Sequence, residues 1–522
     1  MKTFLRYAAI ERPAFEQILL IALLLLMFCF IANGQTISSR QNKTEMQTAV
    51  AETKPVEVTE NRLKQLEAEM QAMQAEFVAL KKLFIQQQVA QNNAATQATE
   101  TVAVQTVNKP PITTVKTETK ETTKTESKQH TPSKQLGVDL GSVRLTPYGT
   151  IYFNAFNNTG STNNQDVPLF ATPTGISGAS ASVRQTRLGL RFEGAKVGNA
   201  RLTGVLEADF FGGFPAVGIG ENFGVVRIRV ANARLDWEKT SVTVGQDWMP
   251  FAPVSPVSIA AAAIPQLAAA GNPWARIPQV RVDHKLTDKV TLTGAILAPQ
   301  TGDYSTASSF FLQPNSGAAS RVPFFQSRLA FADKNWFGTK KNGAVGVSGH
   351  YGRSRVLTGA ANVKNEADSI GVALDWNFPL HARVSFAGEA FVGRVLGGFQ
   401  AGVFQGLNTE FAFRENNRVT PAGVRSIGTR GGWAQLGFTP DVFKDRLSIY
   451  GSIGVDDPRN EDLTSVSRFN FRTRNLAYAV NAIYRFTPQF QIGAEFRRFE
   501  TQYFVTGERV NNHVNLGATY SF

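Results

Sequence analysis

Arginine dominates any chemical reading of this 522-residue chain. Arg184, Arg187, Arg191, Arg201, Arg276 and Arg281 fall on the polar side of alternating segments or beside a long uncharged stretch. A guanidinium stays charged at any physiological pH and offers several donors to a carboxylate or phosphate. Arranged around a water-filled passage, such groups select for anions. Glu207, Asp209 and Asp247 are the carboxylates expected to face them, setting a field across the passage. The competing possibility is that these arginines pair with neighbouring acids and brace a wall.

Other reactive types point to no site. The histidines at 130, 284, 350, 381 and 513 lack metal-ligand spacing, and no cofactor motif accompanies them. Ser348 and His350 lie two apart on one strand face, which suggests a hydrolase pair. Neighbouring polar residues on one face are routine inside a barrel, so no enzyme, metal or cofactor is expected. Asp456, Asp457, Glu461 and Asp462 read as a solvated acidic run rather than a cation site. The formal charge is +13, but with an export signal and no clustered basic helix, nucleic acid is not an expected partner.

The elements that must carry the arginines follow from the patterning. Phe occurs 38 times and Gly 44 times, yet mean hydropathy is only -0.15. Only one long apolar run occurs, Ile18 to Ala32, preceded by Lys2, Arg6 and Arg12 and followed by Asn33-Gly34. That is the form of a signal peptide over residues 1–34, with an uncleaved anchor as the rival reading. The single Cys, Cys29, lies inside it, so the mature chain is expected to have no disulfide. A coiled coil is predicted over 56–85, with Leu63, Leu66, Met70, Met73, Phe77, Leu80 and Phe84 spaced 3-4-3-4-3-4 along a self-association seam. Residues 86–135 are rich in Thr, Lys, Glu and Gln, broken by Pro110 and Pro111, and read as a flexible linker.

From 136 to 522 the period becomes two. Val514, Leu516, Ala518, Tyr520 and Phe522 share one face of the last segment, and Asn515, Gly517, Thr519 and Ser521 share the other. Apolar residues toward lipid and polar residues toward a lumen is the signature of a membrane barrel. About sixteen antiparallel strands are predicted, joined alternately by short and long connections. Between Val225 and Trp237 the phase slips, as a bulge requires. The fold class expected is thus an all-β transmembrane barrel preceded by a short α-helical coiled coil. Short connections mark the periplasmic end, which would place the coiled coil in the periplasm. The terminal Phe522 would be read by the barrel-assembly machinery. Among the long connections, 249–277 is rich in Ala and Pro; exposed, it would be sticky. It is expected to fold into the barrel mouth.

Three short patches, SVRQTRLG (182–189), VGQDWMPF (244–251) and ARIPQVRV (275–282), resemble the DcaP-like outer-membrane porins. Asp247 departs from the pattern, standing where a neutral hydroxyl residue is expected. The resemblance implies a homotrimer of sixteen-stranded barrels with periplasmic coiled coils, embedded in the outer-membrane bilayer. It also implies passive uptake of small, often anionic, solutes. The alternative from a different class is a barrel-anchored adhesion or envelope-tethering protein acting through its coiled coil or loops.

Overall fold

The structure is a computed structural model that describes residues 137–213, 224–301, 314–358, 363–416 and 418–522. The expected signal peptide (1–34), coiled coil (56–85) and linker (86–135) lie outside the described residues.

Alternating outward-apolar and inward-polar residues fold here into a single closed sheet. Its first half comprises β1 (Val138–Leu140), β2 (Val143–Asn158), β3 (Gly178–Ser182), β4 (Arg187–Val197), β5 (Ala200–Asp209), β6 (Arg227–Asp236), β7 (Thr240–Trp248), β8 (Arg276–Lys285), β9 (Val290–Leu297) and β10 (Phe324–Asp333). Next come β11 (Gly343–Thr358), β12 (Val363–His381) and β13 (Val384–Arg394), then a separate hairpin of β14 (Leu407–Glu415) and β15 (Arg418–Ser426). The sheet resumes with β16 (Gly428–Phe438), β17 (Leu447–Pro458), β18 (Arg472–Arg485), β19 (Phe490–Tyr503) and β20 (Gly507–Ser521). β1 is a short strip folded back on β2, and β3 and β4 are one strand interrupted at 183–186, both pairing with β2. The wall therefore has sixteen antiparallel strands, closed by pairing of β2 with β20. At the seam Phe522 exchanges backbone hydrogen bonds with Gly149, at 3.1 and 3.2 Å. Among the described residues no helix is long and apolar enough to cross a membrane; the crossing elements are strands.

Alternation sets which face each residue takes. On β20, Asn511, His513, Asn515 and Thr519 are buried inside, while Tyr520 and Phe522 are exposed outside. Leu188, Leu190, Leu206, Ile228, Val280, Leu329 and Val480 continue the outer apolar face around the wall. Near the short turns Trp336 stacks on Phe378 and Phe486 on Phe490, the aromatic girdle of a barrel at a lipid boundary. The anticipated bulge is present: the β5–β6 register shifts between Glu207 and Ala208, and Arg229 is the extra residue.

Two connections differ from the sequence reading. Segments 353–366 and 501–510, two of the long connections that the loss of the two-residue period marks out in the sequence, are largely strand, since β11 and β12 pair up to Thr358–Val363 and β19 and β20 to Tyr503–Gly507. Above the lipid the outer face has no need to be apolar, so the period that marks a strand vanishes there. Cross-strand pairs replace it: Arg353 faces Asp368 and Arg355 faces Glu366, with guanidinium–carboxylate contacts of 2.8 and 2.6 Å.

Candidate functional site: an arginine wall and an uncharged inward loop

The connection from Met249 to Ala275 contains no charged side chain. It leaves β7, crosses the lumen and returns to β8, the adjacent strand. A backbone segment enclosed this way must find partners for its N–H and C=O groups. Side chains on the inner face of the barrel supply them in order around the wall. Phe251 N–H donates to Gln326 Oε1 at 3.1 Å, Ala252 N–H to Ser348 Oγ at 3.2 Å, and Val254 N–H to Glu389 Oε1 at 2.6 Å. Val257 exchanges two hydrogen bonds with the Gln435 amide, and Ser258 Oγ donates to Glu495 Oε2 at 2.5 Å. Gln185, in the break between β3 and β4, donates to the Ala260 carbonyl and accepts from Ala262 and Ala263 N–H at 2.9 and 3.0 Å. The loop is thus laced to β10, β11, β13, β16 and β19 before reaching the far wall.

Glycines allow close contact where the loop lies flat on the wall. At Gly271 the backbone has φ +101° and a β-carbon would stand 2.1 Å from the Gly432 carbonyl oxygen. The loop's apolar side chains pack with other loops rather than with lipid. Ala261, Ile264, Ala268 and Trp274 cluster with Val167, Leu169 and Phe170 of the 159–177 connection and with Val403 of the 395–427 connection. Three connections, not one, therefore occupy the barrel mouth. The sequence reading singled out only the one whose composition is uncharged.

The side left uncovered by these contacts is the stretch β4–β8, where the arginines gather. Register places Arg187 opposite Asp209, Arg191 opposite Val205, and Arg281 opposite Thr243, all on the inner face. Arg229, the extra residue of the bulge and inward like Arg227, holds Glu207 at 2.7 Å and Asp209 at 2.8 Å. Arg227 also holds Asp209, at 2.7 Å, and donates to the Ala263 carbonyl at 2.9 Å. Arg281 lies 3.3 Å from both Asp247 and Asp283. Arg276 is stacked between Trp248 and Trp274, 4.4 and 5.1 Å from the ring centres, and shares the Ala263 carbonyl at 3.1 Å. Arg191 lies 4.4 Å from the Tyr148 ring, whose hydroxyl donates to Glu207 at 3.0 Å.

An opening of about 530 Å³ separates this wall from the loop. Arg187, Arg229, Arg281 and Asp247 line one side, and Pro253, Pro256, Ala261 and Pro265 the other. The expected cross-lumen field is corrected on this point. Glu207, Asp209 and Asp247 stand on the same wall as the arginines and pair with them; opposite is only the uncharged loop. Arg187, Arg191 and Arg276 have no ion pair among the described residues, so the wall retains positive charge. Asp247 reduces that surplus by pairing with Arg281.

Two of the anticipated arginines stand elsewhere. Arg184 is 8% exposed and forms a two-pronged ion pair with Asp166 at 2.5 and 2.6 Å, stacking on Phe211 at 3.8 Å. It pins the 159–177 connection. Arg201 lies at the short-turn end of β5, 3.9 Å from Asp236 and largely exposed. Arg227 and Arg229 were missed, although their alternation with outward Val226 and Ile228 was a usable signal. Ser348 and His350 are not a pair: Ser348 accepts from the loop, and His350 Nε2 contacts Ser369 Oγ at 2.9 Å. Among the described residues no cluster of His, Cys, Asp or Glu could hold a metal.

A closed sixteen-stranded wall, apolar outside and polar within, with its third long connection folded over an arginine row, is the architecture of a porin-type membrane channel. Neither a family model nor a curated protein matches the sequence. Solved structures do match. The outer-membrane channel DcaP of Acinetobacter baumannii has the same fold, with TM-score 0.53 and 18% identity over 73% of this chain and 98% of that one. OprB of Pseudomonas putida aligns with TM-score 0.48 and 10% identity, over 72% of this chain and 94% of that one. An anion-selective porin from Comamonas acidovorans aligns with TM-score 0.44 and 12% identity, over 73% and 100%. The three sequence patches that pointed to the DcaP-like fold converge here: one contains Gln185 and Arg187, and the other two form the loop's roots on β7 and β8.

Proposed function

We propose that this protein is a bacterial outer-membrane porin through which small hydrophilic solutes diffuse, with a preference for anions. One observation carries the reading: a surplus of arginine faces a charge-free loop across an opening of about 530 Å³. A passing anion meets guanidinium donors on one side and no competing carboxylate on the other. Self-association through the seam at Leu63, Leu66, Met70, Met73, Phe77, Leu80 and Phe84 would give a homotrimer with its coiled coil in the periplasm. Phe522 would present the assembly signal.

Planar-bilayer conductance of the purified protein in a KCl gradient tests this. Openings in groups of three with an anion-shifted reversal potential support the channel and its trimer. A cation-shifted potential sinks the anion preference. A second reading, a membrane-seated anchor acting through its coiled coil or loops, draws on the three connections packed in the barrel mouth. Folded protein that passes no current would favour it.

A further inference from the structure

The outer surface of the barrel carries a second arginine cluster, remote from the lumen. Register sets Val372, Val392, Arg430 and Asp457 in one outward row across β12, β13, β16 and β17, with Ile370 and Arg394 in the row nearer the long loops. These residues form the floor and one wall of a cleft of about 1070 Å³, roofed by Arg425 of β15 and by Arg459. Ile370, Val372 and Val392 are exposed and continuous with the apolar outer face below. Arg430 pairs with Asp457 at 3.1 Å and Arg425 with Asp462 at 2.7 Å, while Arg394 has no carboxylate partner among the described residues.

A charged side chain on the outer face of a membrane barrel is costly at mid-bilayer and nearly free at the head-group boundary. Arg394 and Arg430, in the same two rows as this apolar floor, with Arg425 and Arg459 over it, therefore mark that boundary. The Arg430 pair, with the Arg430 side chain 77% exposed, is a surface pair that contributes little and opens readily to a better acceptor. The chemistry that satisfies both halves of the cleft is an amphiphile: acyl chains on Ile370, Val372 and Val392, and a phosphate bridging Arg394 and Arg430. Guanidinium forks match phosphate oxygens in two-pronged contacts. We infer that this cleft binds an acylated, phosphorylated lipid of the outer leaflet. The inference rests on the outer-membrane reading above, with the long loops facing outward.

Native mass spectrometry of the full-length protein in detergent tests it, using an acylated bis-phosphoryl diglucosamine lipid, its dephosphorylated form and inorganic phosphate as probes. The phosphorylated lipid should be retained, and retention should weaken about ten-fold or more in Arg394→Gln/Arg430→Gln. The dephosphorylated lipid should bind as weakly as the variant does. Arg394→Gln alone breaks no side-chain contact of the fold and tests the same point should the double variant not fold. Lys334→Gln, at the opposite rim, should change nothing. Equal retention by the variants overturns the inference. So does displacement of the lipid by millimolar inorganic phosphate, which would make this a soluble-anion site. A loss of oligomer mass without loss of lipid would show a contact between copies instead, and also overturns it. Bilayer conductance of the same variants separates the two claims: unaltered openings leave the channel reading intact whatever the lipid result, and a wild type that never opens sinks that reading alone.

Discussion

Gly454 of β17 lies so close to Ala270 of the inward loop that a β-carbon on it would stand 2.2 Å from the Ala270 carbonyl oxygen. The wall is flat there because it lacks a side chain, and the loop rests on backbone. Gly454→Val should lift the loop, at a cost of about 1–3 kcal/mol for overpacking. Single-channel conductance should change, and the heat-modified gel transition should move to lower temperature. Gly451→Val, on the outer face with nothing within 4 Å, is the matched control and should behave as wild type.

Arg187 borders the opening without an ion pair among the described residues. A unit charge acts with about 1 kcal/mol at 4 Å in water, so Arg187→Gln should lower the chloride-to-potassium permeability ratio by up to about five-fold. Reversal potentials measured in the same gradient as the wild type check this. An unchanged ratio would mean that permeating ions do not pass this side chain.

Arg184 should respond differently. Its guanidinium and the Asp166 carboxylate are both buried, and removing one partner strands the other's charge. Arg184→Ala should destabilise the barrel by about 3–5 kcal/mol, seen as a lower unfolding midpoint in denaturant. Channels that still fold should keep the wild-type reversal potential, because Arg184 does not line the opening beside Arg187.

The proposed anion preference should depend on salt. The Debye length shrinks from about 10 Å at 0.1 M to about 3 Å at 1 M, and the surplus charge faces water. The permeability ratio measured at a fixed concentration gradient should therefore fall toward unity as mean KCl rises over that range. A ratio independent of salt would point to selection by size rather than by charge.

Much of this was legible in the sequence wherever one physical demand acted alone. Lipid on one side and water on the other gave β20 its strict alternation, and the slip near Arg229 was readable because it broke that rule. The loop from Met249 to Ala275 announced itself by having no charge. Pairing was not legible. Asp209 is 18 residues from Arg227, yet two-pronged to it; only register brings them to the same wall. Nor did composition mark the connection holding Val167 and Phe170 as inward, because its ends are polar and solvated. The segments around Arg353 and Glu366 lost their period as soon as they left the lipid.

The division of labour between wall and loop has a consequence for how such a channel can change. On the proposed reading, the Met249–Ala275 segment, with the two connections packed against it, contributes shape without charge, and β4–β8 contribute charge on a rigid frame. The two properties reside in separate stretches of chain, continuous at the loop's roots and tied across the opening chiefly at the Ala263 carbonyl. A lineage could therefore retune which sign of solute it admits without altering how large a solute it admits, and the reverse, each by local substitutions.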